Sequence, residues 1–420
     1  MNSVNKWIRL ICFFTVFVLG IFAFPGATEI DTQVFVINIG IDRLNNGMLR
    51  VTAQMPSGEH GGASISSSTQ SSGEGQSGEN GQGSDGKAQG NDRQAKLDKA
   101  NQIKQQSRQT GYIVATADGV NFADALNIMT ATLPRLMNMS QVQQVIVSDA
   151  FARDAEFEPL IMRMVNDAEF YSAAQLVVCE GSAEEFIRAQ ELILGARLSK
   201  AQDAADYAHE LVGFVPSAHI SDIYYAMNSG YGDGVAALCA TNVFDSQGIP
   251  DEYASGAFYA GQAARTGANL NEYLGSALFG ADGMVGRLSG YETQLMHIMR
   301  GTLREMLYMD AGRTAQLSQR SKPRVSIDMS GNDVKVDVSI ELYMVPHRDS
   351  PSTDEVRARM VRELGELIAK CQRMGVEPFG FGTVAVRQFA TFGEWYAVNW
   401  RDRFASADVG VDVELISVPM

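Results

Sequence analysis

Apolar residues recur at every second position near both ends of this chain and at helical spacing in between. In "TQVFVINIGIDRLNNGMLRVTAQMP", Val34, Val36 and Ile39 give an apolar strand, and "MLRVTAQM" alternates after Asn46-Gly47. Asn-Gly supplies the positive φ of a tight turn, so the stretch predicts a β-hairpin. "TGYIVATADGV" predicts a third strand. Phe122, Ala125, Leu126, Met129 and Leu133 then fall at the spacing of a helix. "VQQVIVS" and "AAQLVVCE" read as strands, and "DAFARDAEFEPLIMRMVND" as a helix that Pro159 bends or breaks. Ser182 and Glu185 form a capping box that opens "GSAEEFIRAQELILG" as a helix.

The middle of the chain is less periodic. "NSGYGDG" and "GIPDEYASGAFYAGQAARTGANLNEY" read as loop-rich. "GSALF" and "MVGRL" then predict two strands around Asp282-Gly283, and a second capping box, Ser289 to Glu292, opens a helix. Further on, Val325, Ile327, Val334, Val336, Val338 and Ile340 alternate as a hairpin. "STDEVRARMVRELGELIAKCQRMG" is a long amphipathic helix with Val356, Met360, Leu364, Leu367 and Cys371 on its inner stripe and Gly375 as C-cap. "ADVGVDVELISV" is a final alternating strand.

Between the first hairpin and the third strand, residues 57–110 are rich in Gly, Ser and Gln and almost free of large apolar side chains. Such a segment buries too little to offset its ordering entropy and is expected to be disordered. Too few residues precede it to make a domain, so it reads as an insertion within one. The expected class is α+β, with three α/β-type domains carrying mixed sheets at 29–205, 206–300 and 301–420, preceded by an apolar signal or anchor helix in 1–28.

Charge and cysteines narrow the functional classes. The formal net charge is −15, whereas a nucleic-acid surface is basic, so no nucleic-acid partner is expected. Cys12, Cys179, Cys239 and Cys371 are far apart and form no C-x-x-C pair, which removes zinc-ribbon and thioredoxin-type readings. The last three sit in apolar surroundings and read as buried thiols; outside the cytoplasm one disulfide among them stays open. Lys6 and Arg9 precede the apolar run "LICFFTVFVLGIFAF", an export signal with the positive end inside. An uncharged run of about 15 residues, or about 17 counted back past Arg9 to Ile8, is short for a membrane span, yet the small-x-small pattern of a cleavage site is poor, with Pro25 or Ile21 at the minus-three position. The poor site favours an uncut anchor at 8–24; a cleaved, secreted form is the alternative.

Motifs that carry chemistry are sparse. Gly380, Gly382 and Ala385 fit G-x-G-x-x-A formally, but no strand precedes them, so a turn is expected rather than a dinucleotide loop. His60, His209, His219, His297 and His347 lack ligand spacing. Glu156, Glu158, Asp167 and Glu169 read as a solvated helix face, and "NSGYGDG" as a surface loop. Trp395 and Trp400, five apart, would be separated by roughly 140° on one helix, with core packing expected for at least one. No nucleophile elbow or calcium loop occurs. No catalytic, cofactor-binding or metal-binding residues are therefore expected, and the chain does not read as an enzyme.

Five blocks, in order, resemble the Ger(x)C family, the C-subunit of spore germinant receptors. "INIGIDRLNNGMLRVTAQM" carries Gly40, Asp42, Gly47, Val51, Thr52 and Gln54 of a strand motif. "QQVIVSDAFARD" and "LVVCEGSAEEFI" match a strand ending in an acidic turn and a strand followed by a helix. "ALFGADGMVGRLSGYETQLMHIMRG" carries Phe279, Val285, Gly286, Leu288, Glu292, Thr293 and Gly301, and "EWYAVNWRDRFASADVGVDVELIS" carries Trp395, Trp400 and Phe404. The resemblance covers about 29 to 418, apart from 57–110. It implies structural roles for these residues, domains on the outer face of the spore inner membrane, and a complex with two integral membrane subunits, one permease-like, that sense small germinants. It implies no enzymatic activity. The sequence departs from the family at the lipobox: Gly26-Ala27 stands where relatives have Gly-Cys, so no thiol is present there to be acylated. A different class, an extracytoplasmic solute-binding protein with a pocket between domains, is the alternative that the loop-rich middle segment allows.

Overall fold

The structure is a computed structural model, and it describes residues 32–56, 112–189, 211–242, 258–262, 271–310, 312–330 and 333–418. The expected anchor at 8–24 and the low-complexity insertion at 57–110 lie outside these residues. Among the described residues, no helix is long and apolar enough to cross a membrane.

The first apolar run divides into β1 (Gln33–Phe35) and β2 (Asn38–Arg43), and only β2 pairs with β3 (Leu49–Pro56) as the predicted hairpin. Its turn is wider than two residues. Gly47 N–H donates to Leu44 O and Leu44 N–H to Met48 O, with Gly47 at a φ of 82°. That pattern is a type I turn closed by a glycine bulge. β4 (Tyr112–Gly119) joins β3 antiparallel, and α1 (Phe122–Thr130) packs on both. β5 (Leu136–Asn138) pairs parallel with β1 in a small separate sheet.

β6 (Gln144–Ser148) lies parallel to β2 on its other side. The predicted helix after it is two helices, α2 (Asp149–Ala152) and α3 (Phe157–Asn166). The break falls at 153–156, ahead of Pro159. Proline occupies the first turn of α3, where its missing N–H has no intrahelical acceptor to lose. β7 (Gln175–Glu180), α4 (Ala183–Arg188) and α5 (Ile220–Ser229) follow.

The residues expected to found a separate middle domain at 206–300 instead extend this sheet. β8 (Gly234–Thr241) pairs parallel with β7, and β9 (Asn271–Phe279) and β10 (Met284–Leu288) close it antiparallel. The order is β10-β9-β8-β7-β6-β2-β3-β4. "GVAALCAT" is buried at nearly every position, so it must be covered on both faces, and a parallel interior strand is where that happens. Alternate residues enter different cores: Val145, Val147, Leu176, Val178 and Leu238 face α3 and α5, whereas Ile146, Val177, Cys179, Ala237 and Cys239 face α4. Cys179, Cys239 and Cys371 are free and buried.

α6 (Gly290–Arg300) starts with the predicted capping box: Ser289 Oγ accepts from Glu292 N–H while the Glu292 carboxylate accepts from Ser289 N–H. It packs on β9 behind it and on the second sheet ahead. That sheet holds β11 (Glu305–Asp310), β12 (Arg313–Gln319), β13 (Arg324–Asp328) and β14 (Lys335–Pro346). β12 and β13 lie end to end along one edge of β14, and β15 (Asp408–Ser417) runs parallel along the other. α7 (Thr353–Met374), stopped by Gly375 at a φ of 69°, covers its apolar face. α8 (Gly382–Ala385) follows α7.

The two tryptophans near the end are arranged differently from the expectation. Trp395 and Trp400 do not share one helix, so the expected separation of roughly 140° does not arise. Asn399, at a φ of 49°, divides α9 (Phe392–Val398) from α10 (Trp400–Ala405). This bend brings the two indole rings to 5.9 Å, both 2% exposed.

Candidate functional site

The motif residues singled out in the sequence fall into two groups. Gly40 lies under α4, where an added Cβ would meet Ile187 Cδ1 at 2.8 Å. Asp42, two residues on, accepts from Ala183 N–H at 2.7 Å, Glu184 N–H at 2.9 Å and Ser182 Oγ–H at 3.2 Å. A strand thus caps a helix that follows it by 140 positions. Ser182 caps Glu185 N–H as predicted, but the Asp42 carboxylate supplies most of the acceptors there. Burial raises the Asp42 pKa, and those three bonds oppose it.

The second group lines the junction between the two sheets. Phe279 stacks on Phe157 at 5.1 Å in the first core, and Leu288 belongs to the second. Gly286 gives room to the Met374 side chain. Thr293 Oγ1 lies 2.7 Å from Ser276 Oγ and donates to Ser289 O, tying α6 to β9. Glu292 also holds Lys370 Nζ at 2.7 Å, tying α6 to α7. Trp395, Trp400 and Phe404 form an aromatic stack with Phe389, Phe379 and Phe381.

Beside that stack the sheets leave a cleft of about 680 Å³. Its walls are α5 and the turn after it, the end of α6, the start of β13, and residues 377–387. "NSGYGDG", read as a surface loop, supplies one wall: Ser229 ends α5, Gly230 caps it at a φ of 67°, and Asp233 is 5% exposed. Asp233 Oδ1 accepts from Arg401 Nε–H and Oδ2 from Glu377 N–H, each at 2.6 Å. Arg401 also donates to Ala226 O and Met227 O at the end of α5. The first sheet and the last helices are therefore clasped through one buried ion pair.

The G-x-G-x-x-A stretch is a turn, as expected, and its amide groups are already engaged. Glu377 Oε1 accepts from Phe379 N–H at 2.8 Å and Gly380 N–H at 2.7 Å, and Oε2 accepts from Gly382 N–H at 2.9 Å. The protein's own carboxylate fills the place an anion would take. Gly382 admits no side chain, because a methyl there would overlap Tyr231 O. Burial lifts the Glu377 carboxyl to about 7, against the pull of the amide donors. Burial also raises Asp233 against the opposing Arg401 charge, and it lowers His297, beside Arg300, to about 4.

Sequence reasoning missed Asp233, Glu377, Arg401 and Arg300. Glu377 had one readable signal: a carboxylate just before a glycine-rich turn is placed to accept that turn's amides. The others become neighbours only through the fold. Among the described residues, no group of three or more His, Cys, Asp or Glu is placed to hold a metal ion.

The fold and its junction define an α+β protein with two large sheets, in which the motif residues pack, cap and tie elements together. Residues 93–240 match the family model described as "Spore germination protein N-terminal domain" and residues 274–416 the one described as "Spore germination B3/ GerAC like, C-terminal". Together they span more than half of the sequence, and the chain belongs to the Ger(x)C family of spore germination proteins. Among solved structures it is similar to the GerBC protein, with 12% identity, 90% of this chain and 96% of that chain covered, and a TM-score of 0.47. No curated protein matches the sequence.

Proposed function

We propose that this chain is the C subunit of a spore germinant receptor and works as a non-enzymatic scaffold. It docks its folded part on two integral membrane subunits, one permease-like, and couples their sensing of germinant to the germination response. It acts on the outer face of the spore inner membrane, held there by residues 8–24 if that segment is uncut and by its partners in either case. The observation that carries this reading is the match of both halves of the chain, in order, to the two family models. The motif residues support it from another side: Asp42, Thr293, Glu292 and the Trp395–Trp400 pair cap, pack and tie elements of the fold together.

Deletion of the gene from a spore former is the test. Spores are expected to form normally and to lose the response to at least one germinant. A normal response across a broad germinant panel would overturn the proposal.

A further inference from the structure

The charged groups of the cleft are unevenly committed. Its buried carboxylates are satisfied from within: Asp233 by Arg401 and the Glu377 amide, Glu377 by three amides. Asp222 accepts from the His219 N–H at the start of α5. Its cations are not satisfied. Arg300 is half-buried at the end of α6, its Nε–H donates to Pro378 O, and no carboxylate lies within ion-pair distance of it among the described residues. Lys322, beside Gly301, and Arg387 are both exposed and likewise form no ion pair among the described residues.

The buried Glu377 carboxylate attracts the Arg300 guanidinium, but its oxygens are taken by backbone amides, and the terminal nitrogens of Arg300 keep donors for an anion. The cleft is lined by three carboxylates, Asp222, Asp233 and Glu377, and three cations, Arg300, Lys322 and Arg387, and it is the carboxylates whose oxygens already accept hydrogen bonds. The donors left over in the cleft are therefore cationic, which suits a small anion. At about 680 Å³ the cleft is in the size range of small-molecule sites, roughly 300–1,000 Å³. Tyr225 and Tyr231 add ring surface to the same walls, which suits a ligand with an apolar or aromatic part.

We propose that this cleft binds a small organic carboxylate, its anionic group held by Arg300 with Arg387 and Lys322 and its apolar part resting against Tyr225 and Tyr231. Arginine fits a planar carboxylate by paired hydrogen bonds, which selects this class over a spherical anion. The proposal does not depend on a receptor role for the chain.

The test uses the full chain purified in mild detergent, with binding followed by calorimetry and by the shift of the melting temperature. The probes are benzoate, phenylacetate and succinate. Benzamide and phenylacetamide serve as uncharged matches, and inorganic phosphate serves as the plain anion. At least one carboxylate is expected to saturate the protein, with its amide binding at least tenfold more weakly. Arg300→Gln is expected to weaken binding at least tenfold. Because Arg300 also holds Pro378, Arg387→Ala is the variant that leaves the fold untouched, with an expected loss of three- to tenfold. Val384→Trp, which fills the cleft, is expected to abolish binding. The proposal is overturned if no carboxylate saturates the folded protein, if amides or phosphate bind as well as carboxylates, or if Arg387→Ala and Val384→Trp both bind like the parent chain.

Discussion

The eight-stranded sheet and the five-stranded sheet bury their apolar side chains by different routes. In the first, β6, β7 and β8 are covered on both faces, so neighbouring residues of one strand enter different cores. In the second, β14 alternates, with Val336, Val338, Ile340, Leu342 and Met344 under α7 and Lys335, Asp337 and Tyr343 toward solvent. The exposed face of the second sheet can carry charge along its length, as the ion pairs of Glu341 with Arg320 and Arg324 show. A sheet covered on both faces can place charge only where its strands end. Asp42 and Glu180 end β2 and β7, and Asp233 precedes β8. Polar chemistry therefore collects at strand ends in the first body, and the clasp to the second is one of those ends.

The largest test of this contrast is in the second core. Trp400 is 2% exposed and stacks with Trp395 at 5.9 Å and Phe404 at 6.3 Å. Trp400→Ala is expected to lower stability by about 3–5 kcal/mol in urea unfolding, as for other buried aromatics cut to alanine. Trp395 remains as a buried fluorescent reporter, with Trp7 the other tryptophan left in the chain. A loss below about 1 kcal/mol would mean that the five-stranded sheet does not depend on this stack and that α7 alone holds its apolar face.

The contrast also governs what could be read from the sequence. Half-buried elements were legible, because one covered face leaves a period: the hairpin of β13 and β14, the stripe of α7 and the alternation of β15. Local polar signals were legible too, as with the capping box at Ser289 and the Ser182 cap on Glu185 N–H. The continuous apolar run of β8 has no period to show which sheet it joins, so the middle segment read as a separate domain. The tryptophan stack was hidden by one residue, Asn399, whose left-handed backbone turns one apparent helix into two. The clasp was illegible for a different reason. Asp233 meets Glu377 across 144 positions and Arg401 across 168, and nothing in their local sequence marks them as partners.

A smaller effect is expected at the clasp as pH is varied. Folding raises the Glu377 pKa from 4.5 to about 7. The folded state therefore binds the proton more tightly than the unfolded chain, and stability from this group is fully present below pH 4.5 and lost as pH rises through 7. His297, lowered from 6.5 to about 4, acts oppositely: its contribution is present above pH 6.5 and lost as pH falls through 4. The two oppose each other between about pH 4.5 and 6.5, so the informative quantity is the difference between parent and Glu377→Gln. The parent's stability relative to the variant is expected to fall by about 2–3 kcal/mol from pH 5 to pH 8. Parallel curves for the two proteins would show that the carboxylate stays in one protonation state and that charge is no weaker a fit at the seam than on the open face of the second sheet.

The smallest effect is expected at Asp42, and it tests whether charge at a strand end of the first body acts locally. Removing the carboxylate leaves Ala183 N–H, Glu184 N–H and the Ser182 hydroxyl without their acceptor. Unsatisfied donors and a lost cap each cost roughly 1–2 kcal/mol. Burial already disfavours the Asp42 charge, so part of that cost is offset by the relief of a poorly solvated carboxylate. Asp42→Ala is therefore expected to cost about 1 kcal/mol overall, near the low end of the range for a cap. The change should concentrate in α4, because that helix is only six residues long and too short to hold itself. Amide hydrogen exchange should quicken at 183–188 while β6 and β7 beneath keep their protection. If exchange quickens equally across β2, β6 and β7, Asp42 is instead a keystone of the whole sheet, and the confinement of polar effects to strand ends fails where it should be clearest.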